Sequence, residues 1–158
     1  MPSDLPPLDR HDRAILRVLA AEGRIPVAEL ARRIGLSKTP TQARLRRLEQ
    51  DRIITGYRAM LNPIRLGLAH VAFVEVRLTD TREAALKQFN AAVRAIPEIE
   101  ECHMIAGGFD YLLKVRTADM ASYREVMADR LSALPHVANT STYVAMEAVK
   151  DTGLTNLT

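Results

Sequence analysis

Residues 35–50, GLSKTPTQARLRRLEQ, place a glycine turn directly before a basic amphipathic segment. Ser37 can cap a helix at this point, and Pro40 is tolerated because it falls within the first turn. An inward face follows at the helical spacing i, i+4 and i+7, formed by Thr41, Leu45 and Leu48. The stretch therefore predicts a helix with a polar tip and with positive charge on the side opposite its apolar residues.

Two further helices are predicted before this turn. Asp9 is a favourable N-cap for a first helix over about residues 9–22, which ends before Gly23. Pro26 suits the first turn of a short second helix, whose apolar residues keep helical spacing as far as Gly35. Two short helices joined by a tight glycine-containing turn, the second of them basic, are typical of a helix-turn-helix.

The basic segment is the candidate DNA-contacting surface. In a helix-turn-helix the N-terminal end of the second helix enters the major groove, so its polar tip meets base edges or neighbouring phosphates and its arginines meet phosphates. The predicted DNA contacts are Ser37, Lys38, Thr39, Thr41, Gln42, Arg44, Arg46 and Arg47. The alternative is a three-helix bundle whose polar face is only solvated.

The distribution of charge favours the DNA-binding interpretation. The net charge is only +3, which by itself says little about partners. Residues 1–57 carry 11 Lys and Arg against 7 Asp and Glu, whereas residues 58–158 carry 11 against 12. A basic excess confined to one small module is typical of a protein that binds the phosphate backbone.

The second half of the chain alternates strand and helix patterns. Apolar residues follow period two in strands and helical spacing in helices, and the pair Gly107-Gly108 favours a hairpin turn. The predicted segments are a strand over 72–78, a helix over 86–96, strands over 99–106 and 111–117, a helix over 119–134 and a strand over 136–149. This β-α-β-β-α-β order predicts a ferredoxin-like antiparallel sheet with both helices on one face.

The uncovered face of such a sheet predicts self-association. Val71 and Phe73 lie on the side opposite Ala72 and Val74, because successive strand residues point to opposite faces. An apolar sheet face without helices is expected to meet another subunit. Polar residues on the same side, Glu75 and Arg77, indicate that burial in this dimer is partial.

Enzyme chemistry is not indicated. The sequence has no glycine-rich phosphate loop, no nucleophile elbow and no pair of histidines at i and i+4. Cys102 and His103 are adjacent on a predicted strand, so their side chains point to opposite faces and cannot chelate one ion together. We therefore expect no enzyme activity, no metal site and no cofactor.

Other classes of partner are also weakly supported. A ferredoxin-like sheet can bind RNA by base stacking, but aromatic residues make up only 4% of the chain. No stretch approaches the roughly 18 apolar residues that suggest a membrane span, and the lone Cys102 cannot form an intrachain disulfide. The expected location is the cytoplasm, in association with the nucleoid, without a membrane partner.

The motifs together resemble those of the Lrp/AsnC family of prokaryotic regulators, over roughly residues 8–150. In the first half the similar motifs are Leu8-Asp9, Gly23-Arg24-Ile25, Glu29-Leu30-Ala31, residues 35–40, residues 44–49, residues 53–57 and Leu61-Asn62-Pro63. In the second half they are Glu101-Cys102-His103, Gly107, residues 109–114, Asp119-Met120 and Thr142-Tyr143-Val144. The motifs are specific jointly, since each is weak alone.

The resemblance implies an α+β protein of two domains. An N-terminal (winged) helix-turn-helix domain with its linker strand covers residues 1–63, and a C-terminal βαββαβ ferredoxin-like domain, the family's domain for regulation of amino-acid metabolism (RAM domain), covers residues 64–158. It also implies homodimers that assemble into tetramers or octamers, bind promoter DNA and respond to an amino acid. An alternative is a nucleoid-architectural DNA-binding protein without an effector.

By the same resemblance, the effector binds between dimers near the loop over residues 106–111. Glycine leaves backbone N–H groups accessible to a carboxylate, and Asp110 can receive an ammonium group. The candidate effector residues are Met104, Gly107, Gly108, Asp110, Tyr111, Met120 and Tyr143. From the pattern alone the glycines can be a simple turn, Asp110 a hairpin cap, and the Met and Tyr residues core. Proline, leucine, lysine and aromatic amino acids all stay open as the effector.

Overall fold

A computed structural model describes residues 7–151, which divide between Ala59 and Met60 into two units. The division lies a few residues before the predicted boundary at residues 63 and 64. The ends of the two predicted domains, residues 1–6 and 152–158, fall outside the described residues. No helix within residues 7–151 is both long and apolar enough to cross a membrane.

The first unit contains three helices, α1 (Arg10–Ala21), α2 (Val27–Ile34) and α3 (Lys38–Gln50). The predicted N-cap of α1 is confirmed, because the Asp9 carboxylate accepts from the backbone N–H groups of His11 and Asp12. The Asp12 carboxylate in turn accepts from the backbone N–H of Asp9, which completes a capping box. Gly35 ends α2 with a φ of +72°, a left-handed conformation that glycine adopts without strain.

Each helix of the first unit contributes to one small core. Ile15, Leu30 and Leu48, from α1, α2 and α3 respectively, are fully buried, and Ile25 joins them from the turn before α2. Residues 51–60 follow without a helix or strand, and Leu61 makes a single bridge. The three helices with their glycine turn are the predicted helix-turn-helix.

The second unit is a four-stranded antiparallel sheet with helices on one face. Its elements are β1 (His70–Leu78), α4 (Glu83–Arg94), β2 (Ile99–Met104), β3 (Tyr111–Thr117), α5 (Met120–Val126) and β4 (Val137–Val144). The strand order is β2-β3-β1-β4, and every neighbouring pair is antiparallel. The predicted ferredoxin-like order is confirmed.

Most element boundaries lie within three residues of the prediction, and two elements, β4 and α5, differ more. β4 ends at Val144 rather than near residue 149, because β1 begins at His70 and offers no partner beyond the bond from Ala145 N to Val71 O. α5 ends at Val126 and continues as a π-helical segment, Met127–Leu131, within the single long helix that the sequence predicted. The wider turn is visible in the bond from Ser132 N to Met127 O, 3.0 Å long.

The sheet buries one face against the helices. Alternate residues of β1 and β3, including Val74 and Leu113, pack with Phe89 and Val93 of α4 in the main core. Phe73 lies on the opposite, outer face, where it is 37% exposed in the single chain. The prediction from the period-two pattern, with Val74 on the covered face and Phe73 on the outer face, is confirmed.

Candidate DNA-binding helix and effector-binding loop

α3 presents a polar, basic surface at its N-terminal half. Ser37, Lys38, Thr39 and Arg46 are exposed and Gln42 is half-buried, and we call these five residues the α3 surface. Ser37 occupies the N-cap position, but its hydroxyl makes no capping hydrogen bond, contrary to the prediction that it caps the helix. Within residues 7–151 neither Lys38 nor Arg46 forms an ion pair, so both cations are available to an external anion.

Thr41 does not belong to this surface. Its side chain is 0% exposed, and its hydroxyl donates to the Ser37 carbonyl over 2.9 Å. The predicted DNA contact at Thr41 is therefore corrected, because a buried side chain facing the core cannot enter a groove. The i, i+4, i+7 spacing with Leu45 and Leu48 had already placed Thr41 on the inward face.

Two of the predicted phosphate-binding arginines lie against α1. Arg44 Nη1 is 2.6 Å from Asp9 Oδ2 and 2.9 Å from Asp12 Oδ1, and Arg47 Nη2 is 2.6 Å from Asp12 Oδ2. The backbone N–H of Asp12 and the Arg44 guanidinium hold the pKa of Asp9 at about 2. The hydrogen bonds that Arg44 donates to both carboxylates raise the pKa of Arg44. The prediction for Arg44 and Arg47 is corrected to this extent: both have partners inside the first unit.

Sequence analysis missed the partner of these arginines, Asp12. From the sequence, an acid in the first turn of α1 is expected only to favour the positive end of that helix. The missing information is tertiary, since the residues that pair lie 32 and more positions apart. The only signal in the sequence was the presence of one acid, Asp12, in the first turn of α1 and of two arginines, Arg44 and Arg47, three positions apart on α3.

The second candidate site is the loop over residues 105–110 between β2 and β3. The hairpin is confirmed, but the connection is longer than a tight turn at Gly107-Gly108. Neither glycine adopts a positive φ, although both are exposed. A Cβ at Gly108 would have one neighbour, Arg77 Nη2 at 4.0 Å. The loop backbone is therefore open and lies beside an exposed guanidinium that the sequence analysis had not assigned to this site.

Asp110 closes the base of this loop. Its carboxylate Oδ2 accepts from the backbone N–H of Leu78 over 2.8 Å. Its own backbone N–H donates to Val76 O over 2.9 Å, and its carbonyl accepts from Ile105 N over 2.8 Å. Asp110 is thus the hairpin cap that the sequence left as an alternative, and one of its carboxylate oxygens is engaged with the backbone.

The remaining effector candidates do not form one group within the chain. Met104 is exposed and pairs with Tyr111 at the loop end of the sheet. Tyr111 itself is 2% exposed and packs on Phe89 with ring centroids 4.5 Å apart, and burial raises the pKa of its phenol. The prediction of Tyr111 as an effector contact is therefore corrected, since its ring belongs to the core.

Met120 lies away from the loop, and Tyr143 lies on the outer face of the sheet. Met120 follows the opposite end of β3, and a strand rises about 3.3 Å per residue, so β3 separates it from the loop by about 20 Å. Tyr143 lies on the outer face of the sheet, 54% exposed, and its hydroxyl donates to Glu75 Oε2 over 3.3 Å. Met120 therefore shares no site with the loop of the same chain.

Comparison with known protein families matches both units. The model of the Lrp/AsnC ligand binding domain matches residues 71–155, and the model of a winged helix-turn-helix DNA-binding domain matches residues 8–55. The two matches together span most of the chain.

Curated relatives are similar over nearly their whole length. A proline dehydrogenase transcriptional activator from Rhodobacter capsulatus is 70% identical over 142 residues, which cover 90% of this chain and 92% of the relative. The leucine-responsive regulatory protein of Escherichia coli (strain K12) is 49% identical over 143 residues, which cover 90% and 87%. Both relatives are named as regulators and neither as an enzyme.

Solved structures show the same fold. A transcriptional regulator from Neisseria meningitidis, crystallised as a complex with L-Met, has 32% identity and a TM-score of 0.86, covering 92% of this chain and 94% of that one. An AsnC family transcriptional regulator from Agrobacterium tumefaciens has 33% identity and a TM-score of 0.87, covering 95% and 96%. The prediction of a DNA-binding regulator rather than an enzyme is confirmed, and the chain belongs to the Lrp/AsnC family of transcriptional regulators.

Proposed function

We propose that the chain activates transcription of a gene for proline degradation, by binding promoter DNA through the α3 surface and responding to an amino acid. The observation that carries the DNA-binding part is the exposed, unpaired basic surface at the N-terminal half of α3. The relative from Rhodobacter capsulatus, at 70% identity, supports the target gene. We place the action of this chain in the cytoplasm, on the nucleoid.

The α3 surface offers the groups that major-groove recognition uses. Gln42 can pair with adenine through its amide, and Thr39 can contact a base edge or a thymine methyl group. Ser37 and Lys38, at the start of the helix, are suited to neighbouring phosphates, where backbone N–H groups also point outward. Arg46 lies further along the helix as a cation for the phosphate backbone.

Replacing Arg46 by Ala is expected to weaken binding to specific and non-specific duplexes about equally. Arg46 is exposed and unpaired among the described residues, so the fold should be unaffected. Loss of one phosphate contact lowers the slope of log affinity against log salt concentration by about one. Fluorescence anisotropy across a salt series measures that slope. Arg17→Ala, which removes an exposed charge from α1, is the matched control, and an Arg46→Ala slope equal to the control's slope would remove Arg46 from the interface.

We also propose a homodimer formed through the outer face of the sheet, which assembles further into tetramers or octamers. Phe73 and Tyr143, which pair directly opposite each other, give this face an exposed apolar centre. A two-fold dimer places two α3 helices in successive major grooves, about 34 Å apart along the duplex. In such a dimer, each of the two α3 surfaces binds one half-site of the same operator.

The effector proposal places an amino acid at the loop over residues 105–110. The exposed backbone of Gly107 and Gly108 and the neighbouring Arg77 guanidinium are suited to its carboxylate. Met104 offers apolar contact at the same end of the sheet. Met120 can take part only from another subunit, which fits a site between dimers. The structure from Neisseria meningitidis with L-Met supports an amino acid as the class of ligand.

A thermal-shift screen against the twenty amino acids tests this site. A ligand that binds only the folded state stabilises it by about 2.7 kcal/mol at a hundredfold excess over Kd, and this raises the melting temperature. We expect proline or another amino acid to produce a shift that Arg77→Gln abolishes. Arg124→Gln, an exposed change on α5, should keep the shift. No shift with any amino acid would contradict the effector site and favour an architectural DNA-binding protein.

A further inference from the structure

Asp12 is the only charged side chain of residues 7–59 that is fully buried, at 1% exposure. Both of its carboxylate oxygens are occupied. Oδ1 accepts from Arg44 Nη1 over 2.9 Å, while Oδ2 accepts from the Asp9 backbone N–H over 3.1 Å and lies 2.6 Å from Arg47 Nη2. One acid on α1 therefore connects that helix to two cations on α3.

This arrangement fixes the rotation of α3 about its own axis. Arg44 and Arg47 are three positions apart and so lie on the same side of the helix. A buried carboxylate is costly unless it keeps its paired cations, so turning α3 away from α1 would leave Asp12 uncompensated. The same rotation would carry Gln42 and Arg46 away from the direction in which they now point.

We infer that Asp12 is a positioning residue for DNA recognition: it holds α3 in the rotation that presents the α3 surface, and it does so through Arg44 and Arg47. Asp12 itself contacts no DNA. Its negative charge weakens the general attraction to phosphates, while the fixed geometry strengthens base-edge contacts that depend on alignment. Asp12 thus contributes to the ratio of specific to non-specific affinity rather than to affinity as a whole.

The test is the specificity ratio of Asp12→Asn. Asn has nearly the same shape and keeps an oxygen for the Asp9 N–H, but it lacks the charge that holds both arginines. The specific duplex is one that the unchanged full-length protein selects from a random library, so the test does not depend on the target gene. We expect specific affinity to fall about ten- to a hundredfold, with non-specific affinity unchanged or slightly higher. A merely destabilised protein would lose both affinities together.

Glu29→Gln is the matched control. Glu29, on α2, also binds two arginines, with Oε1 2.6 Å from Arg32 Nη2 and 3.0 Å from Arg33 Nε. The control removes the same charge from the same unit without touching α3. We expect its specificity ratio to equal that of the unchanged protein, and an equal fall in both variants would overturn the inference.

A double-mutant cycle separates positioning from direct DNA contact by Arg47. If Arg47 acts through Asp12, the variant that combines Asp12→Asn with Arg47→Gln loses little more specificity than either single variant. Additive losses would overturn the inference. Circular dichroism at the binding temperature establishes the helix content of each variant. If Asp12→Asn loses helix content, Arg47→Gln is measured by itself, because Asp12 is still paired with Arg44 in that variant. A ratio of specific to non-specific affinity equal to that of the unchanged protein would then overturn the inference.

Discussion

Replacing Phe73 by Asp is expected to convert the assembled protein to monomers and to weaken its binding to an operator by about a hundredfold or more. Phe73 lies on the outer sheet face beside Tyr143, both partly exposed in the single chain. A carboxylate at the centre of an apolar interface loses its water without gaining a partner. Two linked modules bind with an effective concentration in the millimolar range, which monomers lack, so avidity of about 10² to 10⁴ is lost.

Analytical ultracentrifugation and anisotropy titrations on the same samples measure the two effects of Phe73→Asp together. Ala91→Asp is the matched control, since it adds the same charge at an exposed position of α4, on the helix side of the sheet. Phe73→Leu keeps the position apolar and should remain assembled. A Phe73→Asp protein that stays assembled and binds its operator normally would show that subunits meet elsewhere.

Local patterns were sufficient to predict the elements and their order. The period-two alternation of β1 separated Val74 from Phe73 by face. Every strand of the observed sheet overlaps a predicted segment, and β1 begins two residues before its predicted start. The Asp9 cap and the Gly35 helix end were predicted correctly for the same reason, because both residues act on backbone groups within four positions, whereas the Ser37 hydroxyl makes no cap bond. Such features depend only on residues that are close in the sequence, so they can be predicted from the sequence alone.

The predictions that needed correction depend on distant partners. Arg44 and Arg47 were assigned to DNA because an arginine on a helix face gives no sign of an acid 32 or more positions away. Tyr111 was assigned to the effector because it adjoins the loop, whereas its ring lies against Phe89. The end of β4 was placed too late because strand length depends on where the neighbouring strand begins.

Replacing Phe89 by Ala is expected to destabilise the second unit by about 3 to 5 kcal/mol, the range found when a buried phenylalanine is truncated. Phe89 is 0% exposed and lies between α4 and the sheet, with its ring centroid 4.5 Å from that of Tyr111. Its removal leaves a cavity that the rigid strands on one side cannot close. Because stabilities of single domains are about 5 to 15 kcal/mol, the loss is a large fraction of the total.

Urea unfolding of the full chain, followed by circular dichroism, measures the loss. One fixed protein concentration is used, because the proposed assembly would make stability depend on concentration. Phe109→Ala is the control, because Phe109 is a half-buried residue of the loop and its truncation should cost about 1 kcal/mol. If both variants lost the same stability, α4 would not be held by Phe89, and the packed helix face would have to be stabilised by other contacts. A large loss confined to Phe89→Ala instead establishes that Phe89 is a main contributor to the core between α4 and the sheet.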